Sequence, residues 1–134
     1  MTKINRIISP DVGEPPPETW SNCLVVGNQV FIAGMTARSA EFDLVGEGAE
    51  YEQAHAIFTK IKNLMIAAGG SMADIVKVNI FVTDITKREE VWRARREFFS
   101  GNFPVSTLVE VSALALPEML VEVEAIGFIG GGNR

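Results

Sequence analysis

Two glutamates, Glu122 and Glu124, stand two residues apart in the segment MLVEVEAIGF (119–128). On a strand this spacing puts both carboxylates on one face, about 6–7 Å apart. Burial of that face at a subunit interface would raise the pKa of one or both and leave a carboxylate able to hold or activate a water. A charged strand edge in solvent, or a buried ion pair, would use the same spacing without chemistry. The other reactive side chains offer less. His55 and Cys23 are the one histidine and the one cysteine, and such a pair does not make a transition-metal site. His55 falls on the polar side of a helical pattern and reads as a solvated surface residue. Cys23 sits in an apolar run without a neighbouring positive charge and reads as a small core residue. No GxxxxGK[ST] loop and no GxGxxG after a strand is present, so neither a nucleotide nor any other cofactor is expected.

Two tryptophans could touch a ligand. Trp20 follows a Pro-rich loop and opens a strand, where an aromatic ring either walls a pocket or packs. Trp92 lies in a helical segment and reads as core, with ligand stacking as the alternative. Around it Lys87, Arg88, Arg93, Arg95 and Arg96 interleave with Glu89, Glu90 and Glu97, the pattern of a self-compensating solvated face and not of a nucleic-acid footprint.

The elements that must position these residues follow from the hydrophobic pattern. SNCLVV (21–26) and QVFIAG (29–34) flank Gly27-Asn28, a dipeptide suited to a tight turn, which predicts a hairpin. KINRII (3–8) reads as a short edge strand, and DVGEPPPET (11–19) is too rich in proline for a sheet. Residues 49–68 place Ala54, Ile57, Phe58, Ile61, Leu64, Met65 and Ala68 on one helical face, with Glu52, His55, Thr59 and Lys62 facing away, before Gly69-Gly70 stops the helix. Ser71-x-x-Asp74 reads as a capping turn ahead of the strand IVKVNIFVTD (75–84), with Val76, Val78, Ile80 and Val82 on one face. Thr86-x-x-Glu89 reads as a capping box for a second helix to about Phe99, and the strands VSTLVEVS (105–112) and MLVEVEAIGF (119–128) complete the chain.

The order β-β-β-α-β-α-β-β predicts an α/β (α+β) fold in which two helices cover one face of a mixed sheet. With regular alternation, the other face carries Asn79, Phe81, Ser106, Leu108, Glu110, Leu120, Glu122, Glu124 and Ile126. Half apolar and half charged, it fits a surface buried against another copy with polar pockets left in it. At 134 residues a single domain, 1–134, is expected. The chain is 47% hydrophobic and 22% charged, and no run approaches the roughly 20 apolar residues of a membrane span. MTKINRIISP lacks the apolar core of a signal peptide, so a cytoplasmic location is expected. The net charge of -5 would repel a polyanion, so neither nucleic acid nor membrane is an expected partner.

The blocks VGNQVFIAGM, LMIAAGGSMADIVKVNIFVTDI, FPVSTLVEV and LPEMLVEVEAIGF, in this order and spacing, resemble the RidA/YjgF family, also called the endoribonuclease L-PSP or UK-type family. The resemblance covers roughly residues 18–128. It implies a chorismate-mutase-like fold, a homotrimer with a cleft at each subunit interface, and cofactor-independent hydrolysis of reactive enamines and imines to keto acids and ammonia. It also implies a site: Glu122 as the catalytic carboxylate, and Trp20, Ala33, Gly34, Trp92, Ser106 and Leu108 as substrate-binding positions. Ser106 stands where the family carries an arginine that binds the substrate carboxylate. Trp20 stands at a tyrosine position, Ala33 at a small polar one and Trp92 at an asparagine one.

Two readings follow. In one, a deaminase-type hydrolase uses Glu122 to polarise water, with backbone groups near Gly34 and Ser106 holding the substrate. In the other, a non-catalytic or regulatory trimer binds an aromatic or keto compound between Trp20 and Trp92. RNA cleavage conflicts with the acidic balance and with the lack of a histidine acid/base pair.

Overall fold

The computed structural model describes residues 3–132. The hairpin is β2 (Cys23–Val26) and β3 (Gln29–Met35), turning at Gly27, whose φ of 64° uses the left-handed region open to glycine. The edge strand is β1 (Ile4–Arg6), antiparallel to β2. Helix α1 (Glu50–Ala67) is followed by β4 (Ile75–Val82), α2 (Arg88–Arg96), β5 (Val105–Glu110) and β6 (Val121–Phe128). The strands form one mixed sheet in the order β1-β2-β3-β6-β4-β5, with β4 and β5 the parallel pair. The α+β expectation therefore holds. Ile57, Phe58, Ile61, Leu64 and Met65 of α1 are fully buried in one cluster with Val30, Ile80, Val121 and Val123 of the sheet. Each such side chain contributes about 1.5–3 kcal/mol through removal from water. Phe98 and Phe99 meet Phe58 at ring distances of 5.6 and 6.0 Å and join the end of α2 to α1.

Four local expectations need correction. The register shifts between Ile75 and Lys77, a bulge against β6 that turns Ile75 into the core and leaves Val76 half-buried. The turn before α2 is capped by Asp84, whose carboxylate accepts from the Thr86 amide at 3.0 Å, in place of a Thr86–Glu89 box. Helix α2 ends at Arg96, short of Phe99.

The fourth correction concerns β5. Ser106, Leu108 and Glu110 pair with Val78, Ile80 and Val82, all buried, so they point toward the helices. The second face of the sheet instead carries Val105, Thr107 and Val109 beside Asn79, Phe81, Glu122 and Glu124. Val105 and Val109 are exposed there, as are Phe31 and Phe128. The mixed apolar and acidic character expected of that face remains, with different β5 residues supplying it.

Candidate functional site

A cavity of about 640 Å³ opens where the Pro-rich segment, β3 with the loop behind it, α1 and the 111–120 connection come together, and Glu122 lies in its wall. Each wall has a local cause. Buried Asn22 donates from Nδ2 to the Gly13 carbonyl at 2.9 Å and accepts from Trp20 Nε1 at 3.3 Å. These bonds tie the proline loop to the start of β2 and hold the Trp20 ring at the cavity, 56% exposed. Phe42, also in the wall, adopts a φ of 67°, unusual for a bulky side chain, and its ring lies 2.7 Å from where a Cβ on Gly13 would stand. A side chain at position 13 would have to displace that ring. Gln53, fully buried in α1, donates to the Glu118 carbonyl and accepts from the Leu120 amide, both at 2.9 Å. It thereby pins the connection that brings Leu116 and Met119 to the cavity.

The Glu122 carboxylate lies against Gly34, where a Cβ would come within 2.6 Å of its Oε2. Beyond Ile32 the β3–β6 register shifts, so β3 bulges as it passes this point. Half-buried, Glu122 has its pKa raised, first by desolvation and then by the charge of Glu124 on the same face. Glu124 is exposed and accepts from Asn79 Nδ2 at 3.4 Å. The two carboxylates are therefore unequal: one is drawn into an apolar cavity and the other stays in solvent.

Lys60 and Arg38 also line the cavity, and the sequence reading passed over both. Lys60 Nζ donates to the Thr36 carbonyl at 2.9 Å, and burial, reinforced by repulsion from Arg38, lowers its pKa to about 8. A signal for Lys60 was present. It lies seven residues after Gln53, so two polar side chains share the flank of an otherwise apolar stripe.

Of the expected site residues, Trp20, Gly34 and Glu122 meet at this cavity. Ala33 is next to it in β3 but packs half-buried against the core, its amide donating to the Asn22 carbonyl at 2.9 Å. Trp92, Ser106 and Leu108 belong elsewhere. Ser106 accepts from Arg95 Nη1 at 2.8 Å, Leu108 packs on the core, and Trp92 is half-buried beneath the guanidinium groups of Arg88 and Arg95. Within one protomer the sheet separates this group from Glu122. Arg95 loses basicity through burial and the neighbouring Arg96. The salt bridge between Arg93 and Glu90 at 2.7 Å matches the charge-compensated face expected of α2.

Cys23 is 1% exposed and burial pushes its thiol pKa up to about 11, so it behaves as a core residue. His55 is exposed, its ring 5.0 Å from that of Phe98. Among the described residues no helix is long and apolar enough to cross a membrane.

The profile of the family described as Endoribonuclease L-PSP matches residues 13–129. A curated relative, the 2-iminobutanoate/2-iminopropanoate deaminase of Dermatophagoides farinae, is 31% identical over 121 residues, covering 90% of this chain and 94% of its own. Among solved structures, a protein of unknown function, PA3499, from Pseudomonas aeruginosa is 39% identical with a TM-score of 0.85, over 96% of this chain and 94% of that one. RidA from the Antarctic bacterium Psychrobacter sp. PAMC 21119 is 30% identical with a TM-score of 0.84, over 93% and 99% of the two chains. The order of the strands, the paired helices on one face and a profile match that spans most of the chain lead to one assignment: this protein belongs to the endoribonuclease L-PSP family, the RidA/YjgF family.

Proposed function

We propose that the protein hydrolyses an enamine, an imine or a related small molecule without a cofactor, in cytoplasmic trimers whose subunit-interface clefts include the cavity at Glu122. The observation that carries this reading is the Glu122 carboxylate: half-buried, raised in pKa and set in the wall of an apolar cavity beside Trp20 and Gly34. The name of the Dermatophagoides farinae relative, a 2-iminobutanoate/2-iminopropanoate deaminase, supports the same chemistry. An enamine first gains a proton from solvent at carbon to become an iminium, the protonated form of an imine. Glu122 then takes a proton from a water as its oxygen adds to the C=N carbon, which gives a carbinolamine. Returning that proton to nitrogen makes ammonia a leaving group, and as the C–N bond breaks the hydroxyl gives its proton back to Glu122, which leaves the carbonyl product.

Trp92, Ser106 and Leu108 would reach such a site only from a neighbouring copy, since within a protomer they lie behind the sheet. A second copy on the open face would also cover Phe31, Val105, Val109 and Phe128. Sedimentation is expected to give about three times the 14.6 kDa chain mass. A stable monomer at micromolar concentration would remove the interface cleft from this reading.

Weak or no hydrolysis of 2-aminoacrylate or 2-iminopropionate is the expected outcome, because a serine hydroxyl at position 106 cannot replace a bidentate arginine on a carboxylate. Rates equal to those of arginine-bearing relatives in a coupled ammonia assay would show that Ser106 does not limit the pocket. A binding trimer without turnover is the second reading, favoured by the aromatic wall of Trp20 and Phe42. It predicts saturable binding with no reaction to lose on changing Glu122.

A further inference from the structure

The cavity holds four ionisable side chains, and they are not arranged to neutralise one another. Glu14 accepts from Arg6 at 2.7 Å and is already paired. Glu122 has its pKa raised by burial and then by Glu124, and it forms no ion pair among the described residues. Lys60 in turn has its pKa lowered by its own burial and then by Arg38. Among the described residues no carboxylate forms an ion pair with Lys60 or Arg38. Two cations thus line one apolar cavity, near enough for Arg38 to act on Lys60, with one backbone carbonyl, that of Thr36, as the acceptor on Lys60.

Leaving two like charges together and partly desolvated is unfavourable unless something of opposite sign sits between them. The rest of the wall describes what that something carries. Pro15, Trp20, Met35, Phe42 and Met119 supply apolar and aromatic surface, and the cavity is large enough for a ligand well beyond three carbons. We infer that Lys60 and Arg38 form an anion subsite for the carboxylate of a ligand with an apolar or aromatic body, which lies along Trp20 and Phe42 toward Glu122. This rests on the proposed use of the Glu122 cavity as the ligand site and adds the ligand's class and orientation.

The test is a binding titration on a Trp92→Phe background with 3-phenylpropionate and its uncharged analogue 3-phenylpropionamide, followed by fluorescence of the remaining Trp20 and by calorimetry, with calorimetry repeated on the intact protein. The acid is expected to bind about 10-fold or more tighter than the amide. Lys60→Gln is expected to cut affinity for the acid by about 10-fold while leaving the amide unchanged, and Lys60→Arg to keep the preference. Arg38→Gln should weaken the acid in the same sense. Equal affinity of the wild type for acid and amide, full acid preference in Lys60→Gln, or no binding of either probe would overturn the subsite. Because binding and not turnover is read, its failure leaves the role of Glu122 standing, and loss of the Glu122 role leaves the subsite standing.

Discussion

Replacing Glu122 with glutamine is expected to lower turnover by roughly 10²–10⁴-fold, the range for removing a general acid/base, while the assembly and the fold stay intact. Glutamine keeps the volume and a hydrogen-bonding group but cannot take a proton from water. The wild-type rate should also carry a signature in pH. Desolvation and Glu124 raise the Glu122 pKa, so its ionised, proton-accepting form is lost as pH falls through a value above the ordinary carboxylate range. The acid limb of the pH–rate profile is therefore expected above that range in the wild type and absent in Glu122→Gln. Equal turnover in the two proteins, with size and fold confirmed, would take Glu122 out of the chemistry and put the binding reading ahead.

Gly34→Ala is the second large effect, and its cause is positional. A Cβ at this residue would stand 2.6 Å from Glu122 Oε2 and 2.8 Å from its carboxyl carbon, closer than non-bonded atoms tolerate. The group in the way is the end of a flexible side chain, so the fold can absorb the change by swinging the carboxylate aside. Catalysis cannot, because a misplacement of about 1 Å at the reacting group costs about 10²-fold. The expected result is a rate loss of about 10²-fold with thermal stability within about 1 kcal/mol of wild type. Glu122 should remain present but displaced, which a crystal structure of the variant would show directly. Unchanged turnover would mean that the carboxylate does not act from the position it holds here.

Much of this arrangement was legible in the sequence, and the failures have physical reasons. The hairpin was marked by Gly27-Asn28 between two apolar runs, and α1 by its buried stripe, because local periodicity and burial agree there. The facing of β5 was not legible. Val105, Thr107 and Val109 are as mixed as Ser106, Leu108 and Glu110, so the strand's own pattern selects neither face, and pairing with the buried residues of β4 decides. The bulge at Ile75 is likewise a matter of pairing with β6 and shifts the core position by one residue from simple alternation. At α2 a threonine and an aspartate both stood within reach of the helix start, and the Asp84 carboxylate took the role.

The candidate site divides along the same line. Glu122 and Glu124 were visible because a two-residue period puts them on one face, and Trp20 because it follows a loop that cannot enter the sheet. Arg38 and Lys60 were not singled out, since a cation in a loop and another on a helix flank look like surface until a cavity closes over them. Ser106 was named as a binding position on resemblance, and Trp92 on resemblance and on its aromatic ring, and within the chain they sit with Arg95 on the other side of the sheet. They join the Glu122 cavity only if copies of the chain assemble.

Cofactor-independent imine hydrolysis at Glu122 is tested most directly by ammonia release from imines of apolar amino acids, generated in place by a flavin-dependent amino-acid oxidase. The reaction would be run with metal-stripped protein and with Glu122→Gln in parallel. Wild-type protein is expected to accelerate ammonia release well beyond the buffer reaction, most for imines with aromatic or branched side chains, and Glu122→Gln to return it close to the buffer rate. Release no faster than buffer alone across that series, from correctly folded wild-type protein, would contradict the account.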